Sequence, residues 1–218
     1  MEFKYFVIFL SVACIIFLYF LSSLSQPIEI YLEDISNYEG KQVIINGIVT
    51  EYRTTTYGGQ IIEIKDISNT NSSHVVVYVE GETTVEYGDI IKAEGVVQRY
   101  KDDWEVVVDD SRYVKIIEKW SNITFPLWQL ALNPDKYLGM NVNVSGIVER
   151  DYGSYFYLID SGGDYSVAVY YDSSQFQNFS EDDSVSVGAR FVYDTSTFRY
   201  TLRTNENCHN INVLERND

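Results

Sequence analysis

Cysteine, proline and basic residues are scarce in this sequence of 218 residues. It contains two cysteines, three prolines and 16 Lys or Arg residues against 32 Asp or Glu residues, which gives a formal net charge of −16. Cys14 lies in an apolar run, so the rest of the chain, with Cys208 alone, has no partner for an intrachain disulfide. The shortage of bases argues against general binding to duplex nucleic acid, because phosphate neutralisation requires clustered Lys and Arg.

Motifs of the common catalytic mechanisms are also absent from the sequence. It has no HExxH, GxSxG, GxxxxGK[ST] or CxxC segment, so the corresponding enzyme classes lack their minimal residues. His74 and His209 are the only imidazoles. On an extended chain the adjacent Cys208 and His209 would point in different directions and would not close a metal site. We predict a non-enzymatic protein with no catalytic residues, no metal ligands and no cofactor.

A run of apolar residues follows the amino terminus. Residues 5–24 carry no charged side chain, and a helix of this length rises about 30 Å, which matches the hydrocarbon core of a bilayer. Residues 1–25 are therefore predicted to be a membrane anchor, and a signal peptide cleaved before Gln26 is the alternative. Lys4 precedes the run, whereas acidic residues follow it from Glu29 onward. This asymmetry predicts a single-pass protein with a cytoplasmic amino terminus and its C-terminal domains outside.

The strongest pattern in the chain is an internal repeat. Residues 38–49 read YEGKQVIINGIV and residues 137–148 read YLGMNVNVSGIV, with six identities at a constant offset of 99. The similarity continues through the later apolar runs of each half. It predicts two domains of the same fold, at 26–120 and 121–218.

Each half contains five short runs of β-branched and aromatic residues, separated by turns that contain glycine. Hydrophobic residues make up 45% of the chain and aromatic residues 15%, which is enough to form folded cores. Gly47 and Gly146 occur in the first run of each half, where a strand of a small barrel must bend. The chain is therefore predicted to be all-β, with two tandem five-stranded Greek-key barrels preceded by one transmembrane helix.

This arrangement resembles the OB-fold superfamily. The resemblance depends on the pattern Tyr-x-Gly-x-x-Val-x-(Ile/Val)-x-Gly-Ile-Val, on a second strand ending at Asp66 or Asp160, and on a valine-rich third strand. It covers both halves, from about residue 30 to the end. The resemblance implies binding of single-stranded nucleic acid through a basic groove and through aromatic side chains that stack on bases.

Aromatic and basic side chains that could form such a surface occur in both halves. The predicted ligand-binding residues are Tyr52, Tyr57, Tyr100, Trp104, Tyr152, Tyr155, Tyr157, Arg190, Arg199, Tyr200 and Arg203. Both halves are nevertheless acidic, with nine bases against 18 acids in residues 26–120 and six against 13 in residues 121–218. The main prediction is therefore a membrane-anchored, extracytoplasmic binding module with a protein or cell-envelope partner. Binding of single-stranded nucleic acid is the alternative, which the charge disfavours.

A second alternative comes from the haem chaperones of cytochrome c maturation, which are membrane-tethered OB-fold proteins. Residues 75–81 (VVVYVEG) are similar to the middle of that family. The resemblance implies a haem-attaching His or Cys in the tail, followed four residues later by Tyr. In this chain His74 precedes Tyr78 ahead of the third strand, and in the tail Cys208 precedes Asn212.

Four Asn-x-Ser/Thr triplets are candidate glycosylation sites. They begin at Asn71, Asn122, Asn143 and Asn178. Such triplets become acceptors only in a chain exported by a cell with the required machinery, and they also arise by chance in a sequence rich in Asn and Ser.

Overall fold

The computed structural model describes residues 2–24, 26–67, 74–174, 176 and 179–216. Helix α1 covers Glu2–Leu24, and its described side chains, those of residues 5–19, are exposed. Among the described residues, no helix is long and apolar enough to cross a membrane. The predicted membrane anchor is therefore not supported, and the location of the chain stays a prediction.

The first half of the chain folds into a closed five-stranded barrel, here called barrel 1. The strands follow the order β2-β3-β4-β6-β5, and β5 also pairs with β2, which closes the sheet. The strands are β2 (Gln42–Thr54), β3 (Gln60–Lys65), β4 (Val75–Val79), β5 (Ile90–Tyr100) and β6 (Asp103–Val108).

The second half repeats this topology in barrel 2. The order is β9-β10-β11-β13-β12, and β12 closes the barrel on β9. The strands are β9 (Asn141–Asp151), β10 (Tyr155–Ile159), β11 (Ser166–Tyr170), β12 (Ser184–Asp194) and β13 (Arg199–Arg203). In the described part of the chain, the prediction of two tandem five-stranded barrels in an all-β fold is thus confirmed.

Each barrel carries the same two additional strands. Strands β1 (Ile28–Glu29) and β8 (Thr124–Pro126) run parallel to the first barrel strand, β2 or β9. Strands β7 (Val114–Glu118) and β14 (Asn210–Glu215) run antiparallel to the fourth barrel strand, β5 or β12. The repeat therefore includes the strands that enter and leave each barrel.

Apolar side chains fill the two barrels separately. In barrel 1 they are mostly aliphatic, as at Ile45 and Ile64, which are fully buried, whereas barrel 2 also encloses the ring of Phe156. Helix α2 (Leu127–Leu132) buries Leu130 and its own first residue against the core of barrel 2. It is followed by the short helix α3, Pro134–Tyr137.

The glycine in the first strand of each barrel is required by a close approach of backbone. A Cβ atom on Gly47 would lie 2.9 Å from the carbonyl oxygen of Lys65, and one on Gly146 would lie 2.6 Å from that of Ile159. The pairing register shifts shortly after each glycine, between Val49 and Glu51 in barrel 1 and at the matching place in barrel 2. These contacts explain why the repeat keeps glycine here.

An aspartate closes the turn before the fourth strand in each barrel. The carboxylate of Asp89 accepts the Glu86 amide at 3.0 Å, and that of Asp183 accepts the Ser180 amide at 2.9 Å. The carbonyl oxygen of Asp89 accepts the amide of Val49 on the first strand of barrel 1. In barrel 2 the carbonyl oxygen of Asp183 accepts the amide of Val148 in the same way. The repeated aspartate is therefore a structural feature of the fold.

Candidate ligand-binding face of the second barrel

The outer surface of barrel 2 places aromatic and basic side chains in two rows across its strands. Tyr157 lies opposite Arg150 on β9 and opposite Ala168 on β11. In the next row, Tyr155 lies opposite Tyr170, and Tyr170 lies opposite Arg203 on β13. Tyr152 joins this row, because its amide donates to the carbonyl oxygen of Tyr155 at 2.9 Å. We call Tyr152, Tyr155, Tyr157, Tyr170, Arg150 and Arg203 the tyrosine face.

The four rings of the tyrosine face contact one another. Tyr152 and Tyr155 are stacked, with centroids 4.7 Å apart and an interplanar angle of 15°. Tyr157 stands edge-on to Tyr155 at 5.9 Å, and Tyr170 lies 5.5 Å from Tyr155. Tyr152 is 48% exposed and Tyr170 36% exposed. A partly solvated cluster of four aromatic rings, here called the platform, therefore covers this side of the barrel.

Two arginines border the platform. The Nη1 atom of Arg150 donates to the hydroxyl of Tyr152 at 3.4 Å, and within the described residues no carboxylate lies within 4.0 Å of this guanidinium. Arg203 lies over the ring of Tyr170 at 5.6 Å and pairs with Asp194 at 3.0 Å. Burial and the neighbouring tyrosines raise the pKa of Tyr155. The rings are thus bordered by two guanidinium groups, of which that of Arg203 is paired with Asp194.

The loop that carries Tyr152 is held by local hydrogen bonds. Gly153 has a φ of 82°, which suits glycine, and its amide donates to Asp151 at 2.8 Å. The same carboxylate oxygen accepts the hydroxyl of Tyr171 at 2.7 Å. Burial and this hydrogen bond raise the pKa of Tyr171 well above its usual range. Asp151 therefore fixes the loop beside the platform without taking part in it.

A polar hollow adjoins the platform. It has a volume of about 460 Å³ and is lined by Tyr170, Arg203, Ser154, Asn205 and Asn207 among other residues. Because Tyr170 and Arg203 belong to both surfaces, a ligand on the platform could extend into this hollow.

The matching face of barrel 1 has different chemistry. Glu63 occupies the position of Tyr157, opposite Glu51 on β2 and Val76 on β4, and Val76 in turn lies opposite Glu105. Ile61 occupies the position of Tyr155, opposite Arg53 and Tyr78. Three carboxylates and a single tyrosine therefore stand where barrel 2 has its aromatic platform.

The structure brings together only some of the residues predicted from the sequence. Tyr152, Tyr155, Tyr157 and Arg203 share the tyrosine face. Tyr170 and Arg150 complete it. Tyr170 could be identified from the repeat, since it aligns with Tyr78 and follows Ala168 by two residues on the same side of a strand.

The other predicted residues lie elsewhere. Tyr57 is 95% exposed in the loop between β2 and β3, and Tyr100 is exposed at the end of β5. Trp104 packs against the core of barrel 1 with Arg99 over its ring at 5.6 Å, and Arg199 is exposed at the start of β13. Tyr200 stacks on Phe191 at 5.2 Å within barrel 2. Trp104 and Tyr200 are thus packing residues.

Tyr52 and Arg190 lie at the contact between the two barrels. Tyr87 of barrel 1 packs against Tyr52 at 4.7 Å, and the guanidinium carbon of Arg190 lies 3.4 Å from the centre of the Tyr87 ring. Arg190 also pairs with Glu206 at 3.4 Å. Arg190 therefore lies away from the tyrosine face, and its role in ligand binding stays a prediction.

Trp120 lies beside this contact, with its ring edge-on to His209 of barrel 2 at 6.0 Å. It is 3% exposed, its indole Nε1 donates to Glu86 at 2.8 Å, and its amide donates to the buried Asp89 at 3.1 Å. Lys119 pairs with both acids, at 3.3 Å and 3.1 Å. Burial raises the pKa of Asp89, although hydrogen bonds from Glu86, Trp120 and Lys119 oppose this shift. Sequence reasoning missed the contact between the barrels, because its partners, such as Tyr87 and Arg190, lie in different halves of the chain.

Glu206, Cys208 and His209 bring three potential metal ligands together beside Trp120. Their ligand atoms all lie within 4.8 Å of one another. The chain turns here, with the His209 amide donating to the Glu206 carbonyl at 3.1 Å. The assumption of an extended chain at Cys208 and His209 is therefore wrong. Burial raises the pKa of the Cys208 thiol to about 11 and lowers the pKa of His209.

The candidate glycosylation sites differ in accessibility. Asn122 is exposed. Asn143 is buried, and its amide donates to the Ser121 carbonyl at 3.1 Å and to the Thr124 hydroxyl at 2.7 Å. A glycan on Asn143 would have to replace these hydrogen bonds, and the use of all four triplets stays a prediction. Asn71 and Asn178 lie outside the described residues.

Comparisons with known proteins give remote structural likenesses. No protein-family model matches the chain, and no curated protein matches it. One similar solved structure is that of a putative aspartyl-tRNA synthetase from Leishmania major, at 15% identity and a TM-score of 0.36. The match covers 43% of this chain and 21% of the Leishmania chain. Fission yeast Pot1 with single-stranded DNA follows at 11% identity and a TM-score of 0.32, covering 84% of this chain and 87% of that one.

The single-stranded DNA-binding protein of Thermus aquaticus matches at 15% identity and a TM-score of 0.27, over 83% of this chain and 96% of that one. The chain thus spans about a fifth of the Leishmania protein but most of the two DNA-binding proteins. None of these likenesses assigns a ligand to this chain.

Proposed function

We propose that this chain is a non-catalytic binding protein that holds single-stranded nucleic acid on the tyrosine face of barrel 2. The observation that supports the proposal is the contiguous platform of Tyr152, Tyr155, Tyr157 and Tyr170 with an arginine at each side. Unpaired bases stack on aromatic side chains, with about 1–3 kcal/mol per base. A base can stack on the exposed rings at either end of the platform, Tyr152 and Tyr170.

The acidic charge of the chain is consistent with this mode of binding. Stacking depends on ring faces rather than on charge, and every base offers such a face. Phosphate contacts fall to Arg150 and Arg203, which lie beside the rings, and at Arg203 a phosphate must compete with Asp194, 3.0 Å away. With two phosphates neutralised, the logarithm of the affinity should fall with a slope of only about −1.4 against the logarithm of salt concentration. Duplex nucleic acid, whose bases are already stacked, should bind poorly.

The experiment is a fluorescence anisotropy titration of the full chain with a labelled single-stranded oligonucleotide of about 15 nucleotides. Tyr152→Ala combined with Tyr170→Ala should weaken binding at least tenfold, since each of these two rings supports about one base. Tyr57→Ala is the matched control, because Tyr57 is exposed but lies outside the platform, and it should leave the affinity unchanged. Absence of binding at low salt, or equal losses in the two variants, would overturn the proposal.

A further inference from the structure

A groove opens in barrel 2 where strands β11 and β13 diverge. Among the described residues, the parallel pairing of these two strands begins at Ala168 and Thr201. Val167, one residue earlier on β11, pairs with β10, and Tyr200, one residue earlier on β13, pairs with β12. The wall of the barrel is therefore open between Val167 and Tyr200. We call this opening the seam groove.

Apolar side chains form the floor of the seam groove, which has a volume of about 470 Å³. They include Leu127 and Leu130 of helix α2 and Phe191 of β12, all of which belong to the core of barrel 2. Phe198, which lines the groove from the turn before β13, is 77% exposed. Small-molecule sites are typically clefts of about 300–1,000 Å³ with mostly apolar walls. The groove is thus large enough for a small apolar ligand.

Arg199 is the one charged residue among the described residues that line the seam groove. In the described part of the chain, no carboxylate lies within 4.0 Å of its guanidinium. Asp194, opposite Arg199 on β12, pairs instead with Arg203 at 3.0 Å. Asp135 accepts the hydroxyl of Tyr200 at 3.3 Å. The groove therefore combines an apolar floor with a cation that is available to an anion.

Barrel 1 has the opposite charge at the matching position. Asp103 of β6 lies opposite Tyr100, as Arg199 of β13 lies opposite Asp194. Both barrels fold with the same strand order, so the fold does not require a cation at this place. The charge of Arg199 can therefore serve a ligand.

We propose that the seam groove binds a medium-chain alkyl carboxylate, with the chain along Leu127, Leu130 and Phe191 and the carboxylate on Arg199. An apolar tail with one anionic head complements an apolar floor with one cation, and the guanidinium can donate two parallel hydrogen bonds to a carboxylate. The carboxylate is already ionised at neutral pH, so binding transfers no proton. The proposal does not depend on nucleic-acid binding, although Tyr157 lines the groove as well as the tyrosine face.

The experiment is an isothermal titration calorimetry series on the full chain with sodium hexanoate, octanoate and decanoate. Each additional buried methylene should strengthen binding about fourfold, until the chain fills the groove. Octanol has the same tail as octanoate but no charge. It should bind at least about tenfold more weakly, because it lacks the charged hydrogen bonds to Arg199.

Variants of the lining separate the contributions of charge and of space. Arg199→Gln should weaken octanoate binding at least tenfold and leave octanol binding unchanged. Ala131→Phe places a ring in the groove and should abolish the binding of both ligands. The matched controls are Arg112→Gln and Leu132→Phe, since Arg112 is an exposed arginine of barrel 1 and Leu132 is exposed beside Ala131 but outside the lining. Both controls should bind octanoate as the wild type does.

Two outcomes concern the place and the chemistry of binding. A circular dichroism spectrum shows whether Ala131→Phe keeps the β fold, and Arg199→Gln, which changes an exposed side chain, tests the site independently of that variant. Equal octanoate binding by the wild type and folded Ala131→Phe would place the ligand elsewhere, for example on the exposed apolar residues of α1, and would overturn the proposal. An affinity that does not change with chain length, or binding of adenosine monophosphate but not of octanoate, would also overturn it.

Discussion

The outer faces of the two barrels have the same strands and the same register but opposite chemistry. Where barrel 1 has Glu51 facing Glu63, barrel 2 has Arg150 facing Tyr157. The inward residues, by contrast, are apolar in both barrels. The repeat thus preserves what the fold requires and leaves the outer face free to differ, so a face that departs from its counterpart is the better candidate for function.

The largest expected effect concerns Trp120, which lies beside the contact between the two barrels. Trp120→Ala removes a buried indole together with its hydrogen bond to Glu86, and replacing a large buried aromatic typically costs about 3–5 kcal/mol. We expect urea unfolding to show this loss and to separate into two transitions, one for each barrel. Trp128→Ala is the control, because Trp128 is 45% exposed. A single transition of unchanged midpoint would show that the barrels do not depend on this contact.

The second prediction compares the fourth strands. Gly95 of barrel 1 aligns with Ala189 of barrel 2, since they face Val43 and Val142. A Cβ atom on Gly95 would lie 2.3 Å from the Val107 carbonyl oxygen, so Gly95→Ala should lower the free energy of unfolding by about 1–3 kcal/mol. Ala189→Gly relieves no clash and should cost about 0.5–1 kcal/mol. Thermal denaturation of both variants tests this order, and equal losses would contradict it.

The third prediction exchanges the chemistry of the two faces. Glu51→Arg with Glu63→Tyr gives barrel 1 the pair that barrel 2 has at Arg150 and Tyr157. If one stacked base contributes about 1 kcal/mol, the affinity for a single-stranded oligonucleotide should increase about fivefold. The reverse change, Tyr157→Glu with Arg150→Glu, should reduce it by at least as much. Anisotropy titrations measure both changes, and a gain in barrel 1 without a loss in barrel 2 would be inconsistent with the proposed face.

The smallest expected effect is a pH dependence of stability that arises from Asp160 in the loop after β10. The Tyr165 amide donates to Asp160 at 2.7 Å and the Gly162 amide at 3.1 Å; these hydrogen bonds lower the pKa of Asp160 below its usual value. The folded state thus binds this proton less readily than the unfolded state. The ionised Asp160 carboxylate therefore contributes fully to the free energy of unfolding above about pH 4, and this contribution is lost as the pH falls further. Asp160→Asn should therefore differ from the wild type in urea unfolding at pH 7 but less at pH 3.

The fold was predictable from the sequence because its requirements are local. A carbonyl oxygen close to Gly47 or Gly146 excludes any side chain, and the aspartates before the fourth strands accept an amide three residues away. The resulting repeat at an offset of 99 indicated two copies of one fold. Features that depend on such short-range geometry leave a visible pattern in the residues.

The tyrosine face was only partly predictable, because it depends on the exact pairing register of its strands. The register shift after Val148 places Arg150, and not Glu149, opposite Tyr157, and simple alternation along β9 does not indicate this. The turn at Cys208 and His209 was missed although it is local. Its shape depends on hydrogen bonds between Glu206 and His209 that the sequence does not reveal.

The strands that flank each barrel bear on how this chain arose. Each copy has its own parallel strand before the barrel, β1 or β8, and its own antiparallel strand after it, β7 or β14. A duplication that copied this whole segment would yield a second unit already able to fold. The outer faces of the two copies are then free to diverge while the buried glycine contacts and the aspartate turns are kept. In this view the acidic face of barrel 1 and the aromatic face of barrel 2 record divergence after a single ancestral event.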